Sequence, residues 1–336
     1  MKRTRVHLVV SRIVTPGAGV ISARLDGVPN ETMRIAGTGV TRPASVGVAI
    51  VTRNRRRQLL ETLARHQALP ERPAIVVADN GSGDGTAAAV REEFPSVELL
   101  ELGANHGSAA RTEAARRLSS PLVAFSDDDS WWEAGALERA ERRFDVQPRL
   151  GLIAARVLVG AERRLDPTCA AMAASPLPAA PGVPGAAVLG FVACGAIVRR
   201  DALLACGGFD RRYGIGGEER LLALDLAAAG WQLQYVEQIV AVHRPHANGY
   251  RPGRDAHVLR NDLWSTWLRR PAARVPFETA RALARSGARG DTLRGAAAAL
   301  RGLPWVVRAR RPLPAAVERS VRLLERHPHR PAQRRV

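Results

Sequence analysis

Leu122-Val-Ala-Phe-Ser-Asp-Asp-Asp-Ser-Trp-Trp132 joins a short apolar run to three adjacent carboxylates. Leu122 to Phe125 has the length and composition of a buried strand. Asp127, Asp128 and Asp129 at its end repel one another, and a cation among them relieves that repulsion. Hard divalent cations such as Mg2+ or Mn2+ take oxygen ligands. They commonly use only one or two carboxylates and leave other positions to substrate phosphates. Open α/β sheets bind ligands beyond the carboxyl ends of their strands, so this strand places a metal where a phosphorylated substrate would lie. The alternative is an acidic turn, because Asp and Ser favour turns and helix caps.

The flanking sequence repeats the same grammar. Val46 to Val51 and Ala74 to Ala78 are short, β-branched apolar runs, and each reads as a buried parallel strand. Helical patterns ending near Leu69, Phe94 and Leu118 alternate with these runs and with a strand at Val97 to Leu102. That alternation predicts a doubly wound, Rossmann-like α/β sheet. Further on, a helix to Phe144 and a strand at Leu150 to Val157 are expected, then loop over 159 to 190, a strand at Gly190 to Val198, and helices at Arg200 to Cys206 and up to Gly230. Trp231 to Val236 and an apolar run closing at His243 complete this region. From about Arg251 the texture becomes helical and arginine-rich, with patterns at Val258 to Leu268, Phe277 to Arg285, Thr292 to Leu300 and Ala315 to Leu324. Three regions are therefore expected: a mobile leader over 1–44, with an edge strand at Val6 to Val10; a catalytic domain over 45–250; and a basic α-helical C-terminal extension over 251–336. Met33 offers an alternative start.

With 336 residues the chain can bury a substantial core. Its formal charge is +18, an excess carried by arginine, since Lys2 is the only lysine. Such a balance suits an anionic partner; a GC-rich genome would also enrich Ala and Arg. No apolar run reaches the roughly 18 residues of a spanning helix, and His7 to Val10 is too short for a signal core. Cys169, Cys194 and Cys206 show no metal-ligand spacing, which fits a reduced, cytoplasmic setting.

Several motifs stand in order on this frame: Val76-Val-Ala-Asp-Asn-Gly-Ser-Gly-Asp-Gly-Thr86, Asn105-His-Gly107 with Arg111, Asp127-Asp-Asp129, Gly207-Gly-Phe-Asp210, Gly217-Glu-Glu219 and His243. Over about Val46 to His243 the chain resembles the inverting, family 2 glycosyltransferases of the GT-A fold. The segment Arg260-Asn-Asp-Leu-Trp-Ser-Thr-Trp-Leu-Arg269 resembles the C-terminal helix of some bacterial members. The resemblance implies a nucleotide-diphosphate sugar as donor, an acceptor hydroxyl, inversion at the anomeric carbon, and Mn2+ or Mg2+ as cofactor. Asp79 would accept a hydrogen bond from a nucleobase imide, favouring UDP or dTDP; the alternative is an Asx-turn. Asp84 is read as a cap for the following helix. Thr52 would line the nucleotide cleft and Arg111 would sit near the nucleotide or its phosphates. Where the family usually has Asn after that arginine, this chain has Thr112.

The resemblance also makes Asp127 and Asp129 the D-x-D pair, binding nucleotide and metal, with His243 completing the metal shell or contacting the diphosphate. Glu219 is the candidate general base and Glu218 the second; acids in a first helical turn also complement the helix dipole. Trp131 and Trp132 are read as core packing. A glycan, a lipid-linked sugar or a small molecule would be the acceptor. Peripheral contact with the anionic inner face of a membrane is a further expectation. The alternatives are a basic nucleic-acid- or membrane-binding protein and an inactive relative of the transferases. No nucleic-acid-binding motif accompanies the charge, so nucleic acid is not expected as a partner.

Overall fold

The computed structural model describes residues 11–13, 20–22, 45–179, 185–245, 253–286 and 289–327. The chain divides into two units, Met1–Pro43 and Ala44–Val336. In the first, β1 (Ser11–Ile13) and β2 (Val20–Ser22) form an antiparallel pair with Arg12 opposite Ile21. The rest of the expected leader, with the Val6 to Val10 strand and Met33, lies outside the described residues.

The second unit begins with the alternation that the sequence predicts: β3 (Val46–Thr52), α1 (Arg56–Gln67), β4 (Ile75–Asp79), α2 (Thr86–Glu93), β5 (Glu98–Glu101), α3 (Ala110–Arg117) and β6 (Leu122–Asp127). Strands β6, β3, β4 and β5 lie side by side and parallel. Successive side chains of a strand point to opposite faces, and each face of this sheet has its own helical cover. Val48 and Ile50 of β3 pack in one cluster with Leu59 and Leu63 of α1 and Val90 of α2. Ala49 joins the other, with Ala110, Ala114 and Ala115 of α3. Alanines on both partners let α3 lie close to the sheet.

The sheet continues through β7 (Ser130–Trp132), α4 (Ala136–Val146), β8 (Leu150–Val159), β9 (Arg164–Leu165), α5 (Pro167–Ala173), β10 (Ala186–Ala187), β11 (Ala196–Arg199), α6 (Arg200–Ala205), α7 (Glu218–Ala228) and β12 (Gln232–His243). Strand β11 runs antiparallel between β6 and β8, and β8 pairs parallel with β12. The result is a ten-stranded, mostly parallel sheet covered on both faces. Three local expectations change. Residues 159 to 190 are not all loop: α5 forms where Asp166 caps it, accepting from Thr168 N–H at 2.7 Å, with Pro167 in the first turn. The strand expected at Gly190 to Val198 is only β11, because a 3-10 turn at Ala193–Gly195 precedes it. The two apolar runs after Trp231 are one strand, with a register shift between Val236 and Val240.

Beyond the sheet lie α8 (Arg254–Arg269), α9 (Val275–Arg285), α10 (Arg289–Arg301), α11 (Leu303–Ala309) and α12 (Ala315–Arg326). Among the described residues no helix is long and apolar enough to cross a membrane. Trp264, Leu263 and Leu268 of α8 pack with Leu221 of α7, Ala299 of α10 and Val306 of α11. The end of α8 is tied by charge. Arg270 is buried; its Nε and Nη2 donate to Glu318 at 3.0 and 3.1 Å, and its Nη1 donates to Glu325 at 2.5 Å. Glu278 of α9 lies 3.5 Å from the same guanidinium. Arg281 also pairs with Glu278 and Glu325, but Glu318 has no other cationic partner among the described residues, and breaking a buried pair costs about 3–5 kcal/mol. Arg270→Leu is therefore expected to lower the unfolding free energy, measured by urea unfolding, by an amount of that order, whereas Arg319→Leu, on the exposed side of α12, is expected to change stability by less than about 0.5 kcal/mol.

Candidate active site

Strand register builds the site. Thr52 pairs with Asp79 across β3 and β4, and Val51 pairs with Asp127 across β3 and β6. Three neighbouring parallel strands therefore end level, with Thr52, Asp79 and Asp127 at their carboxyl ends. The chain then turns through Asp128 and Asp129 into β7. Ser130 Oγ accepts from Asp127 N–H at 2.8 Å and lies 2.9 Å from Ser126 Oγ, which shapes this turn. Strand β7 pairs antiparallel with β12, and that register sets His243 opposite Ser130. A residue more than a hundred positions away thus arrives beside the acidic triplet.

The three acids have three environments. Asp127 accepts a 2.5 Å hydrogen bond from Arg111 Nη2. Asp128 is buried and accepts from Thr52 Oγ1 at 3.0 Å and from Arg55 Nη1 at 3.3 Å, while its carbonyl accepts from Thr62 Oγ1. Burial pushes its pKa up to about 7, against the pull of Arg55 and with the push of Asp129 and Asp127. Asp129 lies 2.7 Å from Arg55 Nη1 and 3.3 Å from His243 Nε2. Burial raises its pKa, but the bonds to His243 and Arg55 outweigh that and hold it below the ordinary carboxyl range. His243 shifts the opposite way: burial favours the neutral ring, and Asp129 overrides it, leaving the pKa above its usual value.

Arg55 follows β3 in a basic turn, and sequence reasoning passed over it. Its signal was the run Arg53-Asn-Arg-Arg-Arg57 after a strand, which does not say which arginine turns inward. Asn54, at positive φ, makes that turn, accepting from Gly83 N–H at 2.8 Å.

Asp79 forms the Asx-turn: its Oδ1 accepts from Ser82 N–H at 2.9 Å and from Ser82 Oγ at 2.6 Å. Asp84 stands one residue before Gly85, the N-cap of α2; it accepts from Thr86 N–H at 3.1 Å in the first turn and also from Arg56 N–H at the start of α1. Trp132 is buried, whereas Trp131 is half-buried between Arg65 and Arg244, whose guanidinium carbons lie 4.1 and 5.3 Å from its ring centre.

Arg111 and Thr112 join this region to α7. Arg111 is buried, with Nη1 3.9 Å from Glu218 Oε1. Desolvation opposes its charge, but Asp127, Glu218 and Glu219 raise its pKa further still. Thr112 Oγ1 accepts from Phe209 N–H at 2.8 Å. Gly208 has φ +70°, and a Cβ there would lie 2.3 Å from Thr112 Oγ1. The glycine pair of Gly207-Gly-Phe-Asp210 thus lets the loop seat directly on α3. Glu218 is buried and accepts from Gly216 N–H, and Glu219 is partly buried beside it. Desolvation and the Glu218 charge push the Glu219 pKa up to about 8, with Arg111 opposing. The loop before α7 is held from behind: Asn261 Nδ2 donates to Tyr213 and Gly216 carbonyls, and Arg260 donates to Tyr213.

Among the described residues, no group of three or more His, Cys, Asp or Glu is arranged to hold a metal ion by itself. Asp129 and His243 nevertheless offer a carboxylate oxygen and an imidazole nitrogen side by side, with Asp127 near. That donor set fits a divalent cation whose remaining ligands are phosphate oxygens and water.

Comparison with known proteins bears on the family and the fold. Residues 47–206 match the family model described as glycosyl transferase family 2. An N-acetylglucosaminyl-diphospho-decaprenol L-rhamnosyltransferase of Mycobacterium tuberculosis is 28% identical, covering 62% of this chain and 81% of its own. A mannosyltransferase of Pyrobaculum calidifontis, solved with GDP-Man and Mn2+, superposes with TM-score 0.51 at 19% identity, covering 85% of this chain and 87% of its own. TarS of S. aureus in complex with UDP-GlcNAc superposes with TM-score 0.52 at 16% identity, covering 83% of each chain.

The raised acids make stability depend on pH. Glu219 and Asp128 keep protons in the folded protein over a range in which the unfolded chain has lost them, from about pH 4 upward. The folded state then binds more protons, so stability falls as pH rises through that window. Glu219→Gln is expected to flatten the fall in unfolding free energy up to about pH 8, measured by urea unfolding at a series of pH values. A slope equal to wild type would mean that Glu219 titrates as an ordinary carboxyl.

Proposed function

We propose that this chain, whose residues 47–206 match glycosyl transferase family 2 and whose fold is that of the GT-A glycosyltransferases, moves a sugar from a nucleotide-diphosphate sugar to an acceptor hydroxyl, with inversion and with divalent-metal dependence. One observation carries the reading: Thr52, Asp79 and Asp127 end three adjacent parallel strands, and β12 delivers His243 to Asp129. A nucleotide laid across those strand ends spans base-binding, phosphate-binding and metal-binding groups in turn.

Asp79 accepts the imide N–H of uracil or thymine while keeping its Asx-turn, since a carboxylate has acceptor sites to spare. Thr52 lines the cleft floor. Asp127 and Asp129, with His243, would hold Mn2+ or Mg2+, and a cation bound there would supply positive charge against the departing diphosphate. Arg111 offers a second positive charge; its present partners, Asp127 and Glu218, set its direction. Glu219 is the general base and Glu218 the second candidate. The raised pKa of Glu219 supports that order, because a base titrating near working pH accepts a proton readily yet is available unprotonated. Glu218 is engaged by Gly216 N–H and lies beside Arg111, which suits a positioning role.

The solved relatives carry GDP-Man and UDP-GlcNAc, so the fold does not choose the nucleotide and Asp79 carries the preference for UDP or dTDP. The mycobacterial relative is named for a lipid-diphosphate-linked acceptor, which favours a lipid-linked sugar here over a free glycan or small molecule. Residues 45–250 form the catalytic domain in this reading, 1–44 a leader and 251–336 a basic helical extension, acting on the cytoplasmic side of a membrane.

Thermal shift with UDP, dTDP, GDP and CDP, each with and without Mn2+, tests the donor site. Ligand binding to the folded state raises Tm. UDP or dTDP is expected to stabilise the wild type with Mn2+ and to lose that effect in Asp129→Asn. No response to any nucleotide in a folded protein would overturn the reading. For the base, Glu219→Gln is expected to lower turnover by about 10²–10⁴-fold while leaving the nucleotide shift intact. A larger loss in Glu218→Gln than in Glu219→Gln would reverse their roles.

A further inference from the structure

The helices α10 and α11 are built inside out in residue size. Their inward side is small: Gly295 faces the Ala256 carbonyl and Leu259, Ala299 is fully buried, and Gly302 sits against the Trp264 ring, where a Cβ would lie 2.6 Å from Nε1. Trp264 Nε1 donates to the Ala299 carbonyl at 3.0 Å, and Val306 is buried below. The large apolar side chains point out. Leu293 is 67% exposed, Leu300 57%, Leu303 37% and Val307 70%. Gly302 keeps helical dihedrals (φ −82°, ψ −7°), so the phase carries from one helix into the next. Spacings of seven, three and four then align these residues in one stripe. A solvated helix face has no physical use for such a stripe.

A second row runs beside the first. Arg294, Arg301 and Arg308 each follow a stripe residue by one position, again seven apart, and Asp291 is the single acid between Arg289 and Arg311. Arg294 lies 3.6 Å from Asp291. Neither Arg301 nor Arg308 has a carboxylate partner among the described residues. An apolar ridge bordered by cationic side chains matches a lipid surface with anionic headgroups: the ridge enters the acyl boundary while the guanidinium groups stay with the phosphates. A second copy of the chain fits less well, because ridge-to-ridge contact would bring the two arginine rows against like charge.

We propose that the outer face of α10 and α11 is a docking surface for an anionic lipid membrane. The surface is independent of the donor chemistry, and it gives the transferase a fixed orientation towards a membrane.

Sedimentation of the full chain with phosphatidylcholine vesicles, with and without phosphatidylglycerol, tests this in the absence of nucleotide. The wild type is expected to sediment with the anionic vesicles and not with the neutral ones, more strongly at low salt. Leu293→Ser/Leu300→Ser/Val307→Ser and, separately, Arg301→Glu/Arg308→Glu are each expected to lower the partition coefficient by about tenfold or more. Because the replaced side chains are exposed, Tm is expected to stay within a few degrees of wild type. Wild type that ignores anionic vesicles would overturn the proposal, as would variants that bind like wild type. A concentration-dependent dimer that the triple variant abolishes, without vesicle binding, would assign the ridge to a second copy instead. The nucleotide thermal shift, unchanged in both variants, separates failure here from failure of the donor site.

Discussion

A buried guanidinium between Asp127 and Glu218 joins the two sides of the cleft. Arg111 has lost most of its hydration, and a desolvated cation needs compensating charge close by. One compensating carboxylate ends a central strand and the other opens α7. The acids at the strand ends and the acids that open α7 therefore cannot move apart without leaving a buried charge unbalanced. The next residue repeats the coupling by other means, since Thr112 accepts from Phe209 N–H and occupies the space that Gly208 leaves. Two consecutive residues of α3, one charged and one small and polar, hold the loop that leads to Glu218 and Glu219.

Charge compensation also explains the triplet. Three adjacent carboxylates persist because each has compensating partners: Arg111 for Asp127, Thr52 with Arg55 for Asp128, and the same Arg55 with His243 for Asp129. The middle acid, the most buried, has its pKa raised, while its neighbour Asp129 is held low. Such divergence gives neighbouring acids different chemical roles. The helical C-terminal region takes part as well. Asn261 and Arg260 of α8 hold the carbonyls of the loop before α7, and the buried Arg270 cluster fixes α8 to α9 and α12. The placement of Glu218 and Glu219 thus depends on residues that follow the sheet.

Local pattern was enough to read β3, β4, β6 and the helices between them, because apolar runs of strand length and a 3.6-residue period are properties of short segments. The order of motifs was also legible, and with it the group of acids at strand ends. Some local signals were present but passed over, as with Asp166-Pro167, which caps and starts α5 inside a stretch expected to be loop. Others had no local form. The apolar run Gly190 to Val198 has strand composition, yet residues before β11 turn, and of this run only β11 enters the sheet.

What the sequence determined by itself was the α/β alternation, the helical extension, and which acids stand at strand ends, since each follows from spacing and side-chain chemistry within a few residues. Tertiary structure alone decided who partners whom. Strand register brought His243 to Asp129, inward rotation brought Arg55 to Asp128 and Asp129, and close packing of α3 brought Arg111 to Glu218. It also decided that small residues of α10 and α11 face inward and large ones outward, because that choice depends on the Trp264 ring and the backbone of α8. These are distances between segments far apart in the chain, and a periodicity of a few residues carries no information about them.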